Sequence, residues 1–194
     1  MGPAASAGLA PWREVCALAR DDRRWEDGTI TELQYRAGEP MARVEMDIET
    51  SLPPQRVRAA LLDFSERRPD IWPLLERSLY EVQSVGESSA VVKEGSTMPG
   101  LRIWAVEDYD WSDPHTVRWT VRESNFSKPG SYVATTTHPR PDGGTRVHVE
   151  WEREGSTLAG RVVVRLIAAT RGRPIAASIR SALEKLERSG PPAT

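Results

Sequence analysis

The sequence predicts an α+β domain on three observations: strands that alternate apolar and polar residues, a pair of short helices after the first strand, and a long helical pattern near the C-terminus. In MARVEMDIET, Val44, Met46 and Ile48 fall on one side, with Arg43, Glu45, Asp47 and Glu49 on the other. HTVRWTVRES repeats this with Val117, Trp119 and Val121, and TRVHVEWERE with Val147, Val149 and Trp151. Period two with one wet face marks an antiparallel sheet covered on a single side, because parallel strands buried on both faces read as unbroken apolar runs. Turn formers at Val85-Gly86-Glu87-Ser88, Trp111-Ser112-Asp113-Pro114 and Pro141-Asp142-Gly143-Gly144 join consecutive strands as hairpins.

Between the first strand and the next, PPQRVRAALLDFSERRPDIWPLLERS sets Val57, Ala60, Leu61 and Phe64 at helical spacing behind two prolines suited to a helix start. Pro69 and Pro73 divide it into two short helices. LAGRVVVRLIAATRGRPIAASIRSALEKLERSG carries a broad stripe of Val162, Leu166, Ala169, Ala176, Ile179, Leu183 and Leu186, with a kink or break expected at Gly172 and Pro174. This helix is the expected cover of the sheet.

The first 40 residues read differently. WREVCALARDDRRWED is a candidate short helix and DGTITELQYRAGEP has no sustained period. Residues 1–40 are therefore read as an N-terminal extension, partly disordered or a short helix, and as the product of an upstream start codon. Residues 41–188 form the domain, a common single-domain size, and residues 189–194 a disordered tail.

Composition narrows the partners. No run reaches the roughly 18 apolar residues that span a bilayer, and the N-terminus lacks a basic segment followed by an apolar one. A cytoplasmic protein without stable membrane insertion is expected, as a monomer or homodimer. Cys16 has no second cysteine to pair with, and His115, His138 and His148 lack metal-ligand spacing, so neither a metal nor a cofactor is expected. The 26 basic and 28 acidic residues argue against a nucleic-acid partner. Basic residues do concentrate in the last helical stretch, at Arg161, Arg165, Arg171, Arg173, Arg180, Lys185 and Arg188 against Glu184 and Glu187. A solvated helix face accounts for them; contact with an anionic membrane needs an exposed apolar patch alongside, and the stripe above leaves none evident.

The order of elements, together with Asp63-Phe64, Pro69, Trp72-Pro73, the corner Trp111-Ser112-Asp113-Pro114 and the strand start Gly130-Ser131-Tyr132, resembles the START-like (SRPBCC) superfamily. Within it, the polyketide cyclase/dehydrase-like proteins are the nearest match, over roughly residues 41–188. The resemblance implies the helix-grip fold: a curved antiparallel sheet of about seven strands wrapped around a long C-terminal helix, with two short helices between the first and second strands. It also implies a largely apolar cavity between sheet and helix. Sheet curvature points the same way, because a strongly curved sheet cannot rest evenly on a straight helix.

Candidate wall residues follow from strand phase and from that implied cavity. Trp119 and Trp151 share the phase of buried valines and either line the cavity or fill the core. Trp72 sits at the bend of the short helices, near the implied mouth. In LRIWAVEDYDW the phase is open. If Leu101, Ile103, Ala105, Tyr109 and Trp111 face inward, so does Glu107, a candidate acid or base; if Trp104 and Val106 do, Trp104 joins the wall and Glu107 meets solvent, as the rarity of buried carboxylates favours. Arg165 either reaches a ligand or snorkels to water. Tyr132 and Thr136 share one face of their strand and Thr135 and Thr137 the other, and Asn125 follows a bend. Tyr132, Thr136 and Asn125 are candidate polar contacts.

No nucleophile elbow, P-loop, dinucleotide fingerprint or H-E-x-x-H motif occurs. The expected function is binding of a small hydrophobic or aromatic molecule, polyketide- or lipid-like, in an internal cavity. The alternatives are a polyketide cyclase/dehydrase-type enzyme using that cavity with one acid or base, and a membrane-associated lipid carrier or interaction module.

Overall fold

The structure, a computed structural model, describes Ala17, residues 30–35, 41–98 and 100–189. Strand β1 (Ile30–Tyr35) leads into β2 (Met41–Thr50), followed by helix α1 (Pro54–Leu61), helix α2 (Arg68–Ile71) and a 3-10 turn (Arg77–Leu79). Strands β3 (Glu81–Val85), β4 (Ser89–Met98), β5 (Leu101–Asp110), β6 (Thr116–Ser124), β7 (Tyr132–Pro139) and β8 (Thr145–Glu154) come next, and helices α3 (Leu158–Ala169) and α4 (Arg173–Arg188) close the chain. The strands form one antiparallel sheet in the order β1-β2-β8-β7-β6-β5-β4-β3. This is the helix-grip fold, with seven strands in β2–β8 and an eighth, β1, supplied by the leader.

The alternating strands take the expected phase. Val44, Met46 and Ile48 lie opposite Trp151, Val149 and Val147, and all six side chains are buried. They form the core with Val164, Ala168, Ala176 and Leu183 of the closing helices. Pro54 opens α1, and Thr157 caps α3 by accepting a bond from the Gly160 amide at 3.0 Å. The expected break falls at Gly172, whose φ of +70° is left-handed; a Cβ there would meet Val44 Cγ1 at 2.6 Å. The missing side chain lets the turn between α3 and α4 settle directly on β2.

Two expectations are corrected. Residues 30–35, read as lacking any period, pair with β2, and the register shift between Ile30 and Glu32 puts Ile30 out of step with Leu33 and Tyr35 in the sequence. In α3 the buried residues are Gly160, Val163, Val164 and Ala168, whereas Val162 and Leu166 are 49% and 55% exposed. Leu158 is 79% exposed, so three apolar residues at four-residue spacing face solvent where no exposed patch was expected. The run VVVRLIAA is apolar around most of its circumference, so periodicity does not fix its face. Gly160 does, because a Cβ there would lie 1.9 Å from the Phe126 carbonyl oxygen. The candidate helix at residues 12–27 lies outside the described residues except for Ala17, which is helical; of the tail read at 189–194, Ser189 instead ends α4, its hydroxyl donating to the Lys185 carbonyl at 2.8 Å, and 190–194 lie outside the described residues.

Candidate functional site

Between the concave face of β4–β8 and helices α1 to α4 lies a cavity of about 240 Å³. Its wall is mostly apolar, with Leu61 of α1, Val133 of β7 and Ile175, Ile179 and Leu183 of α4 among the lining side chains. Such a space takes an apolar guest and orients it by the few polar groups present.

Those polar groups form two buried ion pairs. Arg68, at the start of α2, turns inward because its Nη1 donates to the Leu61 carbonyl oxygen at the end of α1, 2.8 Å away. Its Nε donates to Glu94 Oε1 at 2.6 Å and its Nη2 to the Tyr109 hydroxyl at 3.0 Å, which in turn donates to Glu94 Oε2 at 3.0 Å. Aromatic rings enclose the guanidinium: Phe64, Tyr109 and Trp72 have centroids at 5.1, 5.4 and 5.9 Å. Trp119 stacks on Tyr109 at 5.3 Å. Burial opposes the charge on Arg68, but Glu94 and Tyr109 outweigh it and raise its pKa. Burial, reinforced by Glu94, pushes the Tyr109 phenol up as well.

The second pair spans the concavity. Glu107 of β5 is 3% exposed and Arg153 of β8 is 6% exposed, and Arg153 Nη2 donates to Glu107 Oε1 at 2.5 Å across the intervening β6 and β7. Burial lifts the Glu107 carboxyl above its ordinary value, with Arg153 pulling the other way and Glu94 adding to the rise. Among the described lining residues, the buried side-chain atoms without a hydrogen-bond partner are Trp72 Nε1, Arg153 Nε and Arg153 Nη1.

Glu107 therefore takes the inward phase with Ile103, Ala105 and Tyr109, not the solvated phase that the rarity of buried carboxylates favours. The cationic partner removes the objection. A bulge on β6, where Val106 faces Glu123 and Glu107 faces Val121, sits at the same point. Trp72, Trp119 and Trp151 lie on the cavity wall, as does Trp104 from the other phase of β5, its ring 4.8 Å below the Lys93 ammonium.

The remaining candidates lie away from the wall. Asn125 is exposed, its amide bonded to the Trp104 nitrogen and the Arg102 carbonyl, each at 2.9 Å. Tyr132 lies beneath Arg118 at 3.6 Å and donates to Glu150, and Thr136 bonds Thr116 at 3.1 Å. Thr135, on the opposite face of β7, lines the cavity instead. Arg165 is exposed because α3 buries Val163, Val164 and Ala168. Sequence reasoning missed Arg68, Glu94 and Arg153. Arg153 carried a signal: it continues the inward series Val147, Val149, Trp151.

Comparison with known proteins agrees with this architecture. The chain belongs to the family described as polyketide cyclase / dehydrase and lipid transport, whose pattern matches residues 41–189. Solved structures of the same fold include the Zhui aromatase/cyclase from a Streptomyces species, with a TM-score of 0.66 at 16% identity, covering 78% of this chain and 97% of that one. A protein of Thermus thermophilus gives 0.64 at 17% identity, covering 77% and 99%. A STAR-related lipid transfer protein from Xanthomonas axonopodis gives 0.56 at 14% identity, covering 81% and 99%. No curated protein matches the sequence. Among the described residues, no helix is long and apolar enough to cross a membrane.

Proposed function

We propose that this chain binds a small hydrophobic or aromatic molecule, polyketide- or lipid-like, in the cavity between sheet and helices. The observation that carries this reading is the apolar space of about 240 Å³ whose charged groups are already matched, Arg68 with Glu94 and Arg153 with Glu107. A site that neutralises its own charges is suited to an uncharged, largely apolar guest. The size fits a molecule of two or three fused rings better than a long acyl chain. The family description and the aromatase/cyclase and lipid-transfer neighbours support the same class of ligand.

Native mass spectrometry of protein purified from its own host tests the reading through a co-purifying small molecule. A fluorescent naphthalene probe provides the second arm: it is expected to quench emission from the wall tryptophans of the intact chain, and Ile179→Trp, which fills the cavity, is expected to abolish saturable binding while the protein stays folded. Binding that survives Ile179→Trp unchanged would place the probe elsewhere and refute the reading.

Glu107 favours a second reading, a cyclase/dehydrase-type enzyme on the same cavity. Its carboxyl, lifted above its ordinary value by burial against the pull of Arg153, lines the cavity as a candidate acid or base, and an apolar chamber that folds a reactive chain into one conformation supplies the orientation that such a cyclisation requires. Turnover of a polyketide-like substrate by the wild type, lost in Glu107→Gln under conditions where circular dichroism shows that variant folded, is the expected signature.

A further inference from the structure

We infer that Arg153 is the ligand-recognising group of the cavity and that it selects an apolar molecule bearing a neutral carbonyl oxygen. The inference rests on the cavity being a binding site. A guanidinium has five N–H donors, and the partner that holds Arg153 in place, Glu107, is bound through Nη2 alone. Nε and Nη1, which carry three of the five, have no hydrogen-bond partner although the residue is 6% exposed and lines the cavity. The Phe126 ring lies 6.0 Å from the guanidinium carbon but supplies no hydrogen-bond partner to these donors; donors left so in an apolar surrounding are costly, and an acceptor removes the cost. The remaining unpartnered polar atom of the wall, Trp72 Nε1, is again a donor, so the unmet demand of the wall is for oxygen lone pairs.

Charge balance decides which oxygen. Arg68, Arg153, Glu94 and Glu107 cancel, so a carboxylate would add an uncompensated negative charge close to Glu107 in a medium that screens poorly. A ketone or quinone oxygen satisfies the donors without that penalty. Glu107 thus acts as a positioning residue, fixing the guanidinium through one nitrogen and leaving two for the guest.

Calorimetric titration of the full chain with acetylnaphthalene, isopropenylnaphthalene of the same shape, and naphthoate tests the inference. Comparing the ketone-to-hydrocarbon affinity ratio between wild type and variant cancels the different transfer of the two probes from water. The ratio is expected to fall roughly tenfold or more in the paired variant Glu107→Leu with Arg153→Met, the effect of one charge-assisted hydrogen bond. Arg153→Lys, which keeps a cation beside Glu107 while removing Nε and Nη1, is expected to lower it as well, and serves if the pair does not fold. A ratio unchanged in both variants, with both probes bound, overturns the inference and leaves the cavity reading standing. Naphthoate binding the wild type more tightly than the ketone overturns the choice of a neutral carbonyl. Failure of all three probes to bind the wild type removes the cavity reading and this inference together.

Discussion

Glu107 and Arg153 meet at 2.5 Å only because the sheet curves enough to bring the inner faces of β5 and β8 together. Removing one member leaves the other charged and buried. Glu107→Gln is therefore expected to destabilise the fold by about 3–5 kcal/mol, while Glu107→Leu combined with Arg153→Met recovers most of that loss. Denaturant unfolding of the wild type, Glu107→Leu, Arg153→Met and the double variant measures the coupling, and strictly additive losses would refute the pairing. Each residue is legible in its own strand, but the pair is not. Strand phase admits an inward Glu107 and solvation argues against it; the counter-ion Arg153, in phase with Val147, Val149 and Trp151, stands three strands away and meets it only across the folded sheet. Arg68 gave no periodic signal at all, because it lies in a bend beside Pro69 and is drawn inward by the buried Leu61 carbonyl at the end of α1.

At the level of elements, strands with one wet face could be read directly, since period two assigns every side chain in β2 and β8, and those of β6 as far as the bulge after Val121. Helix α3 could not. Three consecutive valines put apolar surface on several sides, and the buried face is chosen by Gly160 against the Phe126 carbonyl. Helix propensity alone favours Gly160→Ala by up to about 1 kcal/mol, yet the 1.9 Å approach makes that variant a net loss of about 1–3 kcal/mol through overpacking. Val163→Ala is likewise expected to cost about 1 kcal/mol or more, and Val162→Ala to stay within about 0.5 kcal/mol. Thermal unfolding that ranks Val162 above Val163 would restore the stripe that periodicity favours. In β1 the difficulty is different: a register shift breaks the two-residue rhythm by which a strand is recognised.

The molecule as a whole is closed by a tie between its last helix and its sheet. Glu187 of α4 accepts from Thr50 Oγ1 at 2.7 Å and from the Ser51 amide and hydroxyl, both at 2.8 Å, while Arg56 Nη2 donates to the Leu186 carbonyl at 3.2 Å. Partial burial pushes the Glu187 carboxyl up, but these three donors more than offset it and hold it below its ordinary value. A lowered carboxylate contributes stability that is complete above its unfolded value of 4.5 and is lost as pH falls through the folded one. Glu187→Gln is therefore expected to cost about 1 kcal/mol near neutrality, a modest figure because the side chain is exposed, and to lose less stability than wild type on acidification. Unfolding curves that fall in parallel from neutral to acidic pH would count against the tie.

The family pattern begins at residue 41, but the sheet begins earlier, at Ile30. Met41–Thr50 is laced on both flanks, to β8 on one side and to β1 on the other. A polypeptide trimmed to the family boundary would keep every wall of the chamber and yet bare a fringe of backbone donors and acceptors, onto which a neighbouring copy can zip. The segment upstream of the recognisable fold thus forms the selvage on this side of the sheet.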